Sequence, residues 1–333
     1  MENRENKAQE DNSFSNRIDL SQLKAAILAI KSQLKEVIVG QDDFIELLFV
    51  SLLADGHVLI EGVPGVAKTI TAKLLAKTIA TDFSRIQFTP DLMPSDVLGT
   101  SILNMKTSDF EFKKGPVFSN LVLIDEINRA PAKTQAALFE VMEEKQITID
   151  GTQYKMKPPF MVLATQNPIE QEGTYALPEA QLDRFLFKVN VGYPNVAEEV
   201  QIITAHNKRR GAAAQTLVKP VLTEAELGQF RDQIFDILVE ENIIQYIAAI
   251  ISNTRNHPHL FLGGSPRASI AVLMASKAFA AINGRDFVIP EDVKKSLFPV
   301  LRHRVMLTPE REMEGMTTDK VIDMIIQSEE VPR

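Results

Sequence analysis

Apolar positions recur at helical spacing in two early stretches, Leu23, Ile27, Ile30 and Leu34 within 21–36, and again over 44–53. The pattern then changes. His57-Val-Leu-Ile60 is a short apolar run, which predicts a buried strand, and 70–77 returns to a helical period. Strands are predicted at 85–88, 120–126, 160–164 and 187–191. The runs Leu121-Val-Leu-Ile124 and Phe160-Met-Val-Leu-Ala164 lack the alternation of a half-exposed strand, so they read as central parallel strands covered on both faces. A helix at 131–144 starts with proline and carries Leu138, Val141 and Met142 on one side. Two pieces break this alternation of strand and helix. Residues 100–104 and 109–112 read as a hairpin turned by 106–108, and Asp150-Gly151 joins 145–149 to 152–156 as a second one. Beyond Tyr193-Pro194 the period is helical throughout, over 243–254, 266–283, 290–301 and 319–327. Asn195 with Glu198, and Thr223 with Glu226, are helix-start pairs in that part. The expected fold class is α/β, a parallel sheet with helices on both faces, followed by an all-helical lid. The expected division is a disordered tail at 1–19, an α/β core at 20–192 with hairpin inserts at about 99–115 and 145–158, and a lid at 193–333.

The turn between the first strand and its helix carries chemistry. Glu61-Gly-Val-Pro-Gly-Val-Ala-Lys-Thr69 has the layout of a phosphate-binding loop. Gly62 and Gly65 let the backbone turn so that the N–H groups of Val63, Pro64's neighbours, Val66, Ala67 and Ile70 converge on an anion at a helix N-terminus. Lys68 is suited to the β- and γ-phosphates of ATP, and the Thr69 hydroxyl to Mg²⁺. Ala67 stands where a second glycine is usual; its small side chain is expected to suit a helix start.

A second centre lies at the end of the strand at 120–126. Asp125 and Glu126 occupy its C-terminal end, where ligands bind in open α/β sheets. Asp125 would hold Mg²⁺ directly or through water, and Glu126 would polarise the water attacking the γ-phosphate. Asn167, after the strand at 160–164, is placed either to hydrogen-bond that water or the γ-phosphate, or to form a turn before Pro168. Ser265-Pro266-Arg267 reads as a helix start with Arg267 in the first turn, aimed outward and able to reach a phosphate.

Composition changes this picture little. The 333 residues are 45% hydrophobic and 24% charged, as in ordinary globular proteins, with a net charge of −8 that speaks against a dedicated nucleic-acid binder. Lys208-Arg-Arg210 and Arg302-His-Arg304 are the basic knots and read as solvated helix ends. There is no cysteine, the five histidines lack metal-ligand spacing, and no apolar run has the length of a membrane span. A cytoplasmic protein is the expectation.

The phosphate loop, Ile124-Asp-Glu-Ile-Asn-Arg-Ala130, Ala164-Thr-Gln-Asn-Pro168 and Leu177-Pro-Glu-Ala-Gln-Leu-Asp-Arg-Phe185 together resemble the MoxR-type AAA+ ATPases, in order and spacing, from Ser21 onward. The resemblance implies that Asp125 and Glu126 are the Walker B pair and Asn167 is sensor 1. It implies that Arg184 is the arginine finger reaching into a neighbouring subunit, against the plain alternative of an ion pair with Asp183 or Glu179. It places Arg267 in the sensor 2 segment and Val39-Gly40-Gln41 near adenine, and leaves Arg129 as a further candidate at a subunit boundary. The hairpins resemble the helix-2 and pre-sensor-1 inserts of this clade. It also implies ATP and Mg²⁺, a self-assembled ring, taken as a hexamer, and chaperone-like remodelling of a protein client alongside a von Willebrand factor A-domain partner. Other activities compatible with the motifs are a nucleic-acid-stimulated motor, a chelatase-type motor subunit and a nucleotide-responsive scaffold.

Overall fold

The computed structural model describes residues 18–106, 108–167, 173–209 and 214–332. Of the expected tail, residues 1–17 lie outside this set, as do Pro168, Arg210 and part of the first hairpin's turn. Helices α1 (Ser21–Lys35) and α2 (Asp42–Leu53) lead into β1 (His57–Gly62), the phosphate loop and α3 (Lys68–Thr78). There follow β2 (Phe83–Gln87), the single turn α4 (Pro94–Leu98), the hairpin β3 (Gly99–Asn104) and β4 (Asp109–Lys114), then β5 (Leu121–Asp125) and α5 (Ala132–Glu144). The second hairpin is β6 (Gln146–Ile149) and β7 (Thr152–Lys155). Strand β8 (Met161–Gln166), the short α6 (Glu179–Leu182) and β9 (Phe185–Val191) complete this part.

The strands β2-β5-β8-β1-β9 form one sheet in that order, and every pair in it is parallel. Consecutive residues of the inner strands enter different cores. Val58, Ile60, Leu121, Leu123, Met161 and Leu163 face one apolar cluster, while Leu59, Val122, Ile124, Val162 and Ala164 face the other. That is the physical content of the unalternating apolar runs: with side chains pointing alternately up and down, only a strand covered on both faces is apolar at every position. Both hairpins form where expected, with Asp150 and Gly151 at positive φ of 51° and 76°.

After β9 come α7 (Val196–Arg209), α8 (Glu224–Phe235), α9 (Glu241–Asn256), β10 (Leu260–Leu262), α10 (Pro266–Ile282), α11 (Pro290–Leu301), β11 (Met306–Leu307), α12 (Pro309–Met313) and α13 (Thr318–Ser328). The expected all-helical character needs correction, because β10 and β11 pair antiparallel. Segments of three and two residues are too short to print a period of two in the sequence. The Arg302-His-Arg304 knot also differs from expectation. Arg304 is 8% exposed; its guanidinium pairs with Asp183 at 2.6 Å and donates to the carbonyls of Asp183, Phe185, Leu186 and Val300. His303 is buried beside it against the Phe185 carbonyl. The segment is therefore the joint between the C-terminal helices and the start of β9, not a solvated end. A buried guanidinium is tolerated because each of its faces finds an acceptor.

His57, at the start of β1, is fully buried. Nδ1 accepts the Val162 amide at 3.0 Å and Nε2 lies 3.1 Å from the Met142 carbonyl, which fixes the neutral ring with its proton on Nε2. Burial, reinforced by Lys145 and Arg231, pushes its pKa down to about 4, although the Met142 carbonyl opposes this. The unfolded ring titrates near 6.5, so the unfolded chain binds the extra proton between pH 6.5 and 4, and folding stability falls as pH falls through that window. The expected loss by pH 4 is about 3 kcal/mol from this group. Urea unfolding of the protein and of His57→Gln at several pH values checks it: the variant's stability should depend less steeply on pH in this window.

Candidate active site

In an all-parallel sheet the strands deliver their C-terminal ends to one edge, and the candidate residues are collected there. Gly62 ends β1, and a β-carbon on it would lie 2.5 Å from the Val191 carbonyl of β9, so glycine is required by strand approach rather than by the turn. Gly65 has φ +88°, where glycine is favoured for its freedom. Ala67 also departs from expectation. It precedes the helix in the left-handed region, at φ 62° and ψ 16°, a conformation that costs a residue with a β-carbon about 1 kcal/mol. Alanine here stands at the helix start, as the N-cap, in a conformation that favours glycine. Its carbonyl nevertheless accepts the Thr71 amide and hydroxyl at 3.0 and 2.9 Å, so the first turn of α3 is anchored on it.

Lys68 opens α3 and donates from Nζ to the Gly62 carbonyl at 2.6 Å. Partial burial pushes its pKa below the usual lysine range, while the carboxylates of Asp125 and Glu126 pull it back up. The lysine is thus within electrostatic reach of both carboxylates, although β8 separates β1 from β5 in the sheet. Thr69 is the next residue of the same helical turn. Asn167 follows directly on β8, between the phosphate loop and the carboxylates, and is partly buried.

The carboxylates are held by residues that sequence reasoning missed. Asp125 is 8% exposed, with Arg85 Nε 2.5 Å from Oδ2 and the Thr165 hydroxyl 3.3 Å from Oδ1. Glu126 leaves β5 at once in the left-handed region (φ 59°, ψ 54°). Its Oε2 accepts Gln87 Nε2 at 2.8 Å and pairs with Arg129 at 3.1 Å, and its amide donates to the Thr165 hydroxyl at 3.0 Å. Arg129 therefore has a defined partner in its own subunit. Arg85 and Gln87 stand two apart on β2 and so share a face. That much was readable, but nothing along the chain states that β2 lies beside β5.

Arg184 and Arg267 are elsewhere. Arg184 donates Nη1 to the Phe139 carbonyl at 2.6 Å and pairs with Glu143 at 3.3 Å, so neither Asp183 nor Glu179 is its partner. Arg267 pairs with the other oxygen of Glu143 at 2.7 Å. Both line a hollow with Gly56 and His57, at the end where β1 begins. The phosphate loop lies where β1 ends, about 20 Å away for a strand of this length. Arg267, expected from its first-turn position to reach a phosphate, lies in this structure at the end of the sheet away from its own chain's phosphate loop. A first-turn arginine does point outward, but α10 starts beside α5 at the far end of the sheet. Ser265, the residue before α10, donates to Asp183 at 3.0 Å, and Asp183 is the Arg304 partner; the two arginines thus share one support.

Of the segment 39–41, Gly40 and Gln41 border a cleft of about 610 Å³ lined also by Asn190, Gly192, Tyr193 and Glu198. Its lining residue Asn190 is the register partner of Glu61, at the end of β1.

A phosphate loop and a carboxylate-tipped strand at one end of a β2-β5-β8-β1-β9 sheet, with a helical lid, define a P-loop AAA+ ATPase fold. Residues 57–187 match the ATPase family associated with various cellular activities (AAA), and 252–325 match its AAA lid domain. Chaperone MoxR1 of Mycobacterium tuberculosis is 43% identical over 310 residues, covering 90% of this chain and 81% of that protein. Uncharacterized protein YeaC of Bacillus subtilis is 46% identical over 299 residues, covering 90% and 92%. A solved structure from Cytophaga hutchinsonii superposes with a TM-score of 0.87 at 40% identity, covering 99% of both chains. The chain belongs to the MoxR-type AAA+ ATPases. Among the described residues no helix is long and apolar enough to cross a membrane.

Thr165 is the hinge pin of the carboxylate pair. Thr165→Val keeps the shape but strands the Glu126 amide, and is expected to cost about 1–3 kcal/mol in urea unfolding. An unchanged stability would mean that water replaces the hydroxyl.

Proposed function

We propose that this protein hydrolyses ATP between neighbouring subunits of a ring and uses the cycle to remodel or mature protein complexes. The observation that carries the chemistry is the delivery of Lys68, after β1, and of Asp125 and Glu126, at the end of β5, to one end of the parallel sheet. The backbone of residues 62–70 and Lys68 hold the triphosphate, and the cleft beside Val39, Gly40 and Gln41 takes the base. Thr69 and Asp125 offer hard oxygen donors beside a cluster of negative charge, a set that fits Mg²⁺. Bound there, the ion screens the phosphate charge. Glu126 accepts the proton of the attacking water, and Asn167 orients that water or the γ-phosphate.

Arg184 and Arg267 serve the adjacent subunit's nucleotide. Their common place on Glu143, remote from their own phosphate loop, supports a shared role across the boundary. A pair of guanidinium forks complements the charge that spreads over the transferring phosphoryl oxygens. The ring being hexameric and the use of a von Willebrand factor A-domain partner rest on the family resemblance. Chaperone MoxR1, by its name, supports the remodelling reading over a nucleic-acid motor.

Single variants and mixed subunits test this. Glu126→Gln should retain ATP binding and lose turnover by about 100-fold or more. Arg184→Ala should lose turnover by about 1,000-fold. Mixing it with Glu126→Gln subunits should restore activity, because one supplies the base and the other the arginine. Arg267→Ala should be rescued in the same way; rescue of Arg184→Ala alone would return Arg267 to its own subunit's chemistry.

A further inference from the structure

Asp125 sits in an almost closed position, where an unpaired negative charge is costly. Lys68 is near, but its amine is committed to the Gly62 carbonyl. The direct partner is Arg85. Its pairing is of a particular kind. Among the described residues only Nε of the guanidinium is engaged, so the contact lacks the two-point grip that makes arginine pairs stiff. The side chain is 54% exposed and stands on β2, the edge strand of the sheet, so it can turn into water at small cost. Arg304 is the contrast within the same molecule: buried, with five acceptors, and unable to leave. Glu126, whose proposed task is to act as base, is met from β2 by the neutral amide of Gln87, although Arg129 also pairs with it. From β2 the Asp125 carboxylate thus receives a positive charge and Glu126 does not.

We propose that Arg85 is the exchangeable counter-ion of Asp125: it holds the carboxylate in place before metal binds, and yields its place to Mg²⁺ when nucleotide enters. Arginine and metal then compete for one carboxylate. Arg85 is a positioning residue acting through Asp125. The inference rests on Asp125 being a magnesium ligand.

The test uses ADP, so that no turnover intervenes. Binding of a fluorescent ADP and the melting temperature at fixed ADP are followed as Mg²⁺ is raised. Arg85→Gln should lower the Mg²⁺ concentration at half-effect by about tenfold, the size of one charge-assisted contact. It should also melt lower than wild type without metal and recover with it. Arg85→Lys, which keeps the charge, should lie within about twofold of wild type, and in an Asp125→Asn background Arg85→Gln should make no further difference. An unchanged or raised Mg²⁺ midpoint in Arg85→Gln, with wild type responding normally, overturns the exchange. A wild-type protein whose ADP binding ignores Mg²⁺ overturns this inference and the metal assignment of Asp125 together. Should Arg85→Gln fail to fold, the Arg85 Nε–H nuclear magnetic resonance signal of the wild type, assigned by its loss in Arg85→Lys, decides. Faster solvent exchange on addition of Mg²⁺ and ADP supports release, and unaltered protection overturns it.

Discussion

The parallel alignment of five strands is the constraint from which the site follows. Because β1, β5 and β8 run the same way, the phosphate loop, the two carboxylates and Asn167 leave the sheet at one end, although long stretches of chain separate them. Charge then has to be managed in a small volume. Two adjacent carboxylates repel, and a half-buried lysine resists its own charge. The structure resolves this by alternation: Lys68 on one side, Asp125 and Glu126 between, Arg85 and Arg129 on the other, with the Thr165 hydroxyl joining the carboxylate end of β5 to β8. These groups are partnered, which suits the exchange of protein contacts for ligand contacts in the proposed cycle.

The opposite end of the sheet is built on different terms. Arg304 is enclosed and saturated, and it ties α11 to Asp183 and the first residues of β9. Ser265 joins the same carboxylate, so the starts of α10 and β9 are fixed relative to each other. Arg184 and Arg267 project from this rigid base onto the more exposed Glu143. Accurately placed guanidinium groups on a rigid base suit the role proposed for them in a neighbouring subunit's site. The apolar core reinforces the base: residues of α9, α10, α11 and α13 belong to one cluster with α1, α2, α3 and one face of the sheet. The lid is thus continuous with the core through this cluster. Motion of the lid against the core would have to break buried contacts along with the Arg304 acceptors.

Much of the architecture was legible along the chain. The helical period at 21–36, the unalternating strands, both hairpins and the loop with Lys68-Thr69 are local signals, because each depends on backbone geometry over a few residues. Asp125 and Glu126 were legible for the same reason, as acids at the end of an apolar run. The sequence by itself thus determined which segments are strands, which turn cradles an anion, and which acids terminate a strand. The tertiary structure alone decided the neighbours. It set Arg85 and Gln87 against the carboxylates, buried Arg304 where a solvated knot was expected, added the β10–β11 pair, and carried Arg267 away from its own phosphate loop. Those facts depend on strand order and on where α10 docks. Such choices are made by the burial of whole faces against one another, and no window of adjacent residues contains them.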